Sequence, residues 1–137
     1  ETVTYESEIS IIDEQTVVRL TFNTGASVSA GRQLLDGEYQ LLIDDSKAGS
    51  FGSPLDGDGD GTAGGDYIFG ASPADDFFRK YGDENGDRSV NLLDFAGFRT
   101  DFGTTDASPN FDRTFDANED GQIDLLDFAE FRTAFGQ

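Results

Sequence analysis

The chain has 137 residues, and 28 Asp and Glu against 9 Lys and Arg give it a formal net charge of −19 at pH 7. It has no Cys, His, Met or Trp, which excludes thiol nucleophiles, disulfides, His general bases and Cys/His metal sites. A chain this acidic is repelled by phosphate backbones and anionic lipids, so we expect no nucleic-acid partner and predict that it binds cations.

No run approaches the roughly 18 apolar residues that cross a bilayer, so we expect no membrane insertion. Glu1 is not preceded by Met, and nothing near it resembles a signal peptide. We therefore expect a mature product or an excised part of a longer protein.

Residues 2–50 have the pattern of β-strands. In the segment 16–23, Val18, Leu20 and Phe22 fall on one side and polar residues on the other, the alternation of a half-buried strand. The segment 37–44 repeats this alternation, and 8–12 and 66–69 are two shorter candidates. The predicted fold class is α+β, beginning with a small antiparallel β-sandwich-like unit. These strands resemble the closing strands of Ig-like or cadherin-like repeats in bacterial surface proteins.

The C-terminal half contains an internal repeat with a period of 33 residues, LLDFAGFRTDFG at 92–103 and LLDFAEFRTAFG at 125–136. Each copy follows an acidic loop and is predicted to be a helix that ends at Gly103 or Gly136. At 100° per residue one arc of each helix is apolar, so we expect the two arcs to pack face to face. The two arcs comprise Leu92, Phe95, Ala96, Phe98 and Phe102, and Leu125, Phe128, Ala129, Phe131 and Phe135.

The two acidic loops have the oxygen ligands that Ca²⁺ requires, at positions 1, 3, 5, 7, 9 and 12 of a twelve-residue, EF-hand-like loop. In the first loop the predicted ligands are Asp83, Asn85, Asp87, the carbonyl of Ser89, Asn91 and Asp94. In the second they are Asp116, Asn118, Asp120, Gln122, Asp124 and Asp127. Val90 and Ile123, at position 8, are expected to pair in a short β-bridge. We predict two calcium sites on which the fold depends.

Position 6 differs between the two loops. The backbone must turn there with positive φ, which Gly121 does easily and Arg88 does at a cost of about 1 kcal/mol. The first site is therefore expected to be the weaker one.

A third acidic run lies at 56–66. Asp56, Asp58 and Asp60 take positions 1, 3 and 5, Thr62 takes position 7, and Asp66 comes at position 11. A third calcium site is predicted here, because the run resembles DxDxDG calcium loops outside helix pairs. The alternative is a solvated Asp-Gly linker without an ion.

The segments 83–103 and 116–136 resemble a type I dockerin module, whose pattern is DxNxDGxxNxxD followed by a helix. The resemblance implies calcium-dependent docking of an extracellular or cell-surface protein to a cohesin-type partner, in the setting of polysaccharide degradation. It divides the chain into a β-rich unit at 1–72 and a dockerin-like domain at 73–137, and we expect a monomer. By the same resemblance, the partner-binding residues are Leu93, Arg99 and Thr100 with Leu126, Arg132 and Thr133.

The leucines that begin each helix depart from the Ser or Thr common in that family. Leu92 and Leu125 lie within the apolar arc and are predicted to be in the core. Leu93 and Leu126 lie beside it, where they either form an exposed apolar patch for a partner or pack on the β unit or loops.

The sequence is compatible with two other functions. One is a purely structural, calcium-stabilised C-terminal segment of a surface protein, in which both helices are buried and no partner exists. The other is glycoside hydrolysis, which needs only two carboxylates. Because nearly all clustered carboxylates are assigned to metal loops, we predict no enzyme. An intracellular calcium sensor is disfavoured as well, since such sensors expose Met-rich grooves.

Overall fold

The structure is a computed structural model that describes residues 2–50, 52–72 and 74–137. Its strands are β1 (Tyr5–Ile12), β2 (Gln15–Phe22), β3 (Gly37–Glu38), β4 (Leu41–Ile43), β5 (Gly49–Ser50), β6 (Ser53–Pro54), β7 (Tyr67–Phe69) and β8 (Phe78–Arg79). Its helices are α1 (Leu92–Asp101) and α2 (Leu125–Ala134), with one 3₁₀ turn at Arg113–Phe115. The predicted mixture of a small β region and two C-terminal helices is confirmed.

The first two strands form an antiparallel hairpin in which Ile9 lies opposite Val18. The turn between them is made by Asp13 and Glu14, with φ of 49° and 64°, as in the turns that match the twist of a hairpin. The alternation predicted β2 to within one residue at each end, whereas the predicted segment 8–12 covers only the second part of β1. The predicted half-burial is present at Leu20 and Phe22 but not at Ile9 and Val18, which remain 70% and 53% exposed on the same face of the hairpin.

The other strands pair as β3 with β8, β4 with β7 and β5 with β6, each in a two-stranded antiparallel sheet. The predicted strand 37–44 is interrupted at Tyr39, whose N–H donates to the carbonyl of Phe77 at 2.8 Å. The ring of Phe77 lies 5.9 Å from that of Tyr39 and 5.7 Å from that of Phe69. Among the described residues every sheet has two strands, so the predicted β-sandwich is not confirmed.

Close contacts divide the chain into two compact units, residues 1–36 with 80–137, and residues 37–79. The first unit therefore combines the N-terminal hairpin with the duplicated segment. The domain boundary proposed between 72 and 73 stays a prediction, since compactness does not establish which part folds independently.

The core of the first unit is made by the duplicated segment. Its buried side chains are those of Val90, Phe98, Phe115, Ile123 and Phe131. The rings of Phe98 and Phe131 lie 5.0 Å apart, and that of Phe115 lies 5.4 Å from Phe98. The predicted face-to-face packing of the two Phe-rich helices is confirmed.

The prediction that Leu92 and Leu125 belong to this core is wrong, because they are 71% and 70% exposed. The inward position in the first turn of each helix is taken by a carboxylate, Asp94 or Asp127, with 0% exposure. The apolar arc therefore begins one turn later than the sequence pattern indicates. Ala96 and Ala129 within the helices, and Phe102 and Phe135 just beyond their ends, were also placed on the arcs and are exposed.

Candidate metal centre and docking face

The first acidic loop is held in shape by its own side-chain oxygens. The carboxylate of Asp83 accepts a hydrogen bond from the N–H of Arg88 at 2.9 Å. Asn85 accepts from the N–H of Asp87 at 2.8 Å, and Asp87 accepts from that of Ser89 at 2.9 Å. Position 1 thus binds position 6, position 3 binds position 5 and position 5 binds position 7.

The second loop repeats this arrangement 33 residues later. Asp116 accepts from the N–H of Gly121 at 3.0 Å, Asn118 from that of Asp120 at 3.0 Å, and Asp120 from that of Gln122 at 2.9 Å. Both carboxylate oxygens of Asp116 take part in such bonds, one with Asp120 and one with Gly121, so these bonds fix the backbone of the loop.

The carboxylate at position 12 closes each loop. Asp94 accepts from the N–H groups of Glu84 at 3.0 Å and Asn91 at 2.8 Å, and Asp127 makes the two equivalent bonds in the second copy. In each copy it is also the third residue of the helix and completes a capping box. One buried side chain therefore joins the loop to the helix that follows it.

Backbone hydrogen bonds of the residue at position 8 connect the two copies, although not in the predicted way. Val90 donates to the carbonyl of Gln137 and accepts from the N–H of Gly136, beyond the end of α2. Ile123 makes the corresponding pair of bonds with residues 103–104, beyond the end of α1. The predicted bridge between Val90 and Ile123 is wrong, because each loop bonds to the end of the other copy's helix.

The backbone is left-handed at positions 4 and 6 in all three acidic runs. The φ values are 73° and 70° at Gly86 and Arg88, 60° and 79° at Glu119 and Gly121, and 72° and 87° at Gly59 and Gly61. The positive φ expected at Arg88 is present. Sequence reasoning missed Glu119 at position 4, where the other two runs have Gly.

The run at 56–66 has the same internal bonds as the duplicated loops. Asp56 accepts from the N–H of Gly61 at 3.0 Å, Asp58 from that of Asp60 at 3.3 Å, and Asp60 from that of Thr62 at 2.7 Å. One oxygen from each of the three carboxylates lies within 4.8 Å of the others. The first seven positions of this run therefore match the other loops in both bonding and backbone.

The last carboxylate predicted for that run lies elsewhere. Asp66 accepts from the N–H of Asp45 at 3.0 Å and forms a second acidic group with Asp44 and Asp45. The structure thus brings Asp56, Asp58 and Asp60 together and places Asp66 in a different group.

Burial affects several acidic groups next to the core. It raises the pKa of Asp116, an effect partly offset by the hydrogen bond from Gly121. It also raises the pKa of Glu84 and Asp101, both further raised by the negative charge of Asp112. Carboxylates that are costly to ionise in the protein alone are stabilised as anions by a bound cation. Carboxylate and amide oxygens are the ligands that Ca²⁺ prefers, so the donor set fits that ion.

A second feature is the outer face of each helix, on which the two copies expose the same side chains. The leucines at the start are 71% and 67% exposed in α1 and 70% and 62% exposed in α2. The threonine of each face bonds back to its own helix, Thr100 to the carbonyl of Ala96 and Thr133 to that of Ala129. The faces consist of Leu92, Leu93, Ala96, Arg99 and Thr100, and of Leu125, Leu126, Ala129, Arg132 and Thr133.

Residues 81–134 match the family model of the dockerin type I domain. This match supports a type I dockerin module in the C-terminal part of the chain. Dockerin modules bind calcium, are themselves non-catalytic, dock to cohesin-type partners and occur in secreted or cell-surface proteins. The Ig-like or cadherin-like resemblance of the preceding strands is not confirmed.

No curated protein and no solved structure matches the chain. No helix in the described part of the chain is long and apolar enough to cross a membrane.

Proposed function

We propose that this protein is docked to a cohesin-type partner by its C-terminal module, that calcium organises the module, and that the setting is extracellular. The observation that carries the proposal is the exposure of the same five side chains on both helices. A contiguous exposed apolar face has an unfavourable free energy of hydration and usually marks an interaction site, and this chain has two copies of one. The alternative of a purely structural segment requires both helices to be buried, and the exposed leucines disfavour it.

The proposed calcium ligands are those at positions 1, 3, 5, 7, 9 and 12 of the two loops. They would be Asp83, Asn85, Asp87, Ser89, Asn91 and Asp94 in the first, and Asp116, Asn118, Asp120, Gln122, Asp124 and Asp127 in the second. The hydrogen bonds within each loop support this assignment, because they orient these side chains in the same way twice. The bound ion would supply the positive charge that lets the buried carboxylates remain ionised.

The docking face is proposed to comprise Leu93, Arg99, Thr100, Leu126, Arg132 and Thr133. Leucine and the threonine methyl group offer apolar contact, while arginine offers a charge-assisted bond to a carboxylate. A fitting partner surface is therefore apolar in its centre and acidic at its edge. Because both copies expose the same side chains, a partner could be bound through either helix.

Replacing Leu93 and Leu126 together with Asp is expected to weaken binding of a cohesin module at least 100-fold, since both faces lose their apolar anchor. Each single replacement should have a much smaller effect, because the other helix still offers its face. The measurement is calorimetric titration in calcium and again in excess chelator, where even the unchanged protein should not bind.

Leu42→Asp is the matched control, because Leu42 is 55% exposed but lies outside the module. It should leave cohesin binding unchanged. Full binding by the double variant would refute the proposed face. Loss of calcium affinity in the double variant would instead show that these leucines support the loops.

A third calcium site at 56–66 is also proposed, with Asp56, Asp58, Asp60 and Thr62 as ligands. The bonding and backbone shared with the two dockerin-like loops support it. Asp66, the fifth ligand that the sequence suggested, accepts a bond from Asp45 instead, so this site would be the most open of the three.

Asp58→Ala is expected to remove one calcium equivalent from the full chain and leave the other two unchanged. Calcium calorimetry of the variant against the unchanged protein makes this count. Asp75→Ala, which alters a carboxylate outside all three runs, is the control and should keep every site. An unchanged stoichiometry in Asp58→Ala would favour the solvated linker.

A further inference from the structure

We infer that the loop formed by residues 25–36 supports the second calcium site without supplying a ligand. It binds the side chain of Glu119 and thereby positions the proposed ligands Asn118 and Asp120 on either side of that residue. This inference rests on the proposed calcium binding. It concerns residues far from the duplicated segment in sequence and in the same compact unit.

The loop 25–36 has a defined structure of its own. The N–H of Ser29 donates to the carbonyl of Gln33 at 2.9 Å, and the N–H of Gln33 donates to the hydroxyl of Ser29 at 3.0 Å. The N–H of Leu35 donates to the carbonyl of Ser27 at 3.0 Å, and Val28 between them is only 4% exposed. Ser29 and Gly31 are thus presented by a loop that is already closed on itself.

Glu119 is the residue to which this loop binds. Its carboxylate accepts a hydrogen bond from the hydroxyl of Ser29 and another from the N–H of Gly31 at 2.6 Å. A Cβ atom at Gly31 would lie 2.6 Å from the nearest carboxylate oxygen, so a larger residue there would push the end of the Glu119 side chain out of its present position. The contact therefore has two donors, and it is sensitive to the size of residue 31.

Glu119 occupies position 4 of the second loop, where the backbone is left-handed and two proposed ligands are its neighbours. Glu119 has φ of 60°, a conformation that costs a residue with a side chain about 1 kcal/mol. The equivalent residues of the other two runs are Gly86 and Gly59, which have no side chain to bind anything. Glu119 lies between Asn118 and Asp120, the proposed ligands at positions 3 and 5. Fixing its side chain therefore restricts both neighbours.

The end of the same loop contacts the second site through Tyr81. Asp36 accepts a hydrogen bond from the N–H of Tyr81 at 2.9 Å. The single hydroxyl proton of Tyr81 is shared between two carbonyl oxygens, that of Phe115 at 3.2 Å and that of Asp127 at 3.0 Å. Phe115 immediately precedes position 1 of the second loop, and Asp127 occupies position 12. The loop 25–36 is thus linked to the second site at its middle and its end.

Gly31→Ala in the full chain tests the inference, since it displaces the Glu119 carboxylate without altering any proposed ligand. We expect calcium affinity at the second loop to fall about fivefold, the effect of one lost hydrogen bond, and that at the first loop to stay unchanged. The amide signals of Gly121 and Gly86, followed by NMR in calcium buffers, report the two loops separately. Gly37→Ala is the matched control, because a Cβ there meets nothing closer than 3.8 Å.

Glu119→Gly separates the side-chain contact from the backbone. It removes the carboxylate and relieves the left-handed strain, so a purely conformational role predicts tighter calcium binding, whereas the inference predicts weaker calcium binding.

Calcium should also slow hydrogen exchange of the Gly31 amide in the unchanged protein and not in Asp116→Ala.

The results that overturn the inference are unchanged affinity in Gly31→Ala or tighter binding in Glu119→Gly. Failure of the unchanged protein to bind calcium at the second loop would refute the proposed calcium function itself, and the inference with it. The two failures are therefore distinguishable.

Discussion

Asp127→Ala is expected to abolish calcium binding at the second loop and to lower the free energy of unfolding by about 2–4 kcal/mol. The carboxylate is fully buried and accepts from the N–H groups of Ala117 and Asp124 at 2.9 and 2.8 Å. Its removal leaves both donors without a partner, opens the capping box of α2 and deletes the ligand at position 12. Denaturant unfolding with calcium and with chelator measures the loss of stability, and calorimetry measures the lost site.

Two further variants define what Asp127 contributes. Glu130→Ala alters an exposed carboxylate on the same helix and should change stability by less than about 0.5 kcal/mol. Asp127→Asn keeps an acceptor oxygen but loses the charge, so it should retain more stability than Asp127→Ala while still losing the ion. If Asp127→Ala bound calcium normally at both loops, position 12 would have been misassigned.

The loops could be predicted from sequence because their geometry is local. The bonds of Asp83 and Asp116 reach only three to five residues along the chain. Residue type and spacing therefore decide nearly the whole arrangement, as the same scheme in the run at 56–66 illustrates. What spacing could not predict is Asp66, whose partner Asp45 lies 21 residues earlier.

The burial of helix and strand faces was less predictable, because it depends on what lies opposite them. The helical arc assigned Leu92 to the core. The inward side of the first turn is instead occupied by Asp94, which accepts hydrogen bonds from backbone N–H groups of the loop. Alternation identified β2 and part of β1 but not their pairing or register, and it could not show that Val18 stays exposed. The contact of Glu119 with Ser29 joins residues 90 positions apart and had no sequence signal other than the absence of Gly at position 4.

Phe131→Ala is expected to cost about 3–5 kcal/mol and to leave the C-terminal module without a stable fold when calcium is removed. Phe131 is 1% exposed, and its ring lies 5.0 Å from that of Phe98 and 6.1 Å from those of Phe95 and Phe115. Among the described residues the fully buried apolar cluster has five members, with a partly buried layer that includes Phe95 and Phe128 packed on it, so the loss of one ring removes a large share of the core. Thermal unfolding in chelator and in excess calcium measures both effects, since calcium bound to the folded form should restore part of the stability.

Leu125→Ala is the matched control, because it truncates an exposed apolar residue of the same helix. Both residues belong to α2 and both were assigned to the apolar arc, yet Leu125 is 70% exposed. Its replacement should change the free energy of unfolding by less than about 0.5 kcal/mol, because no cavity forms. Equal losses from the two variants would mean that Leu125 is covered in solution, and the duplicated helix faces would then be unavailable to a partner. A small loss for Leu125 beside a large one for Phe131 separates the residues that build the module from those free to bind.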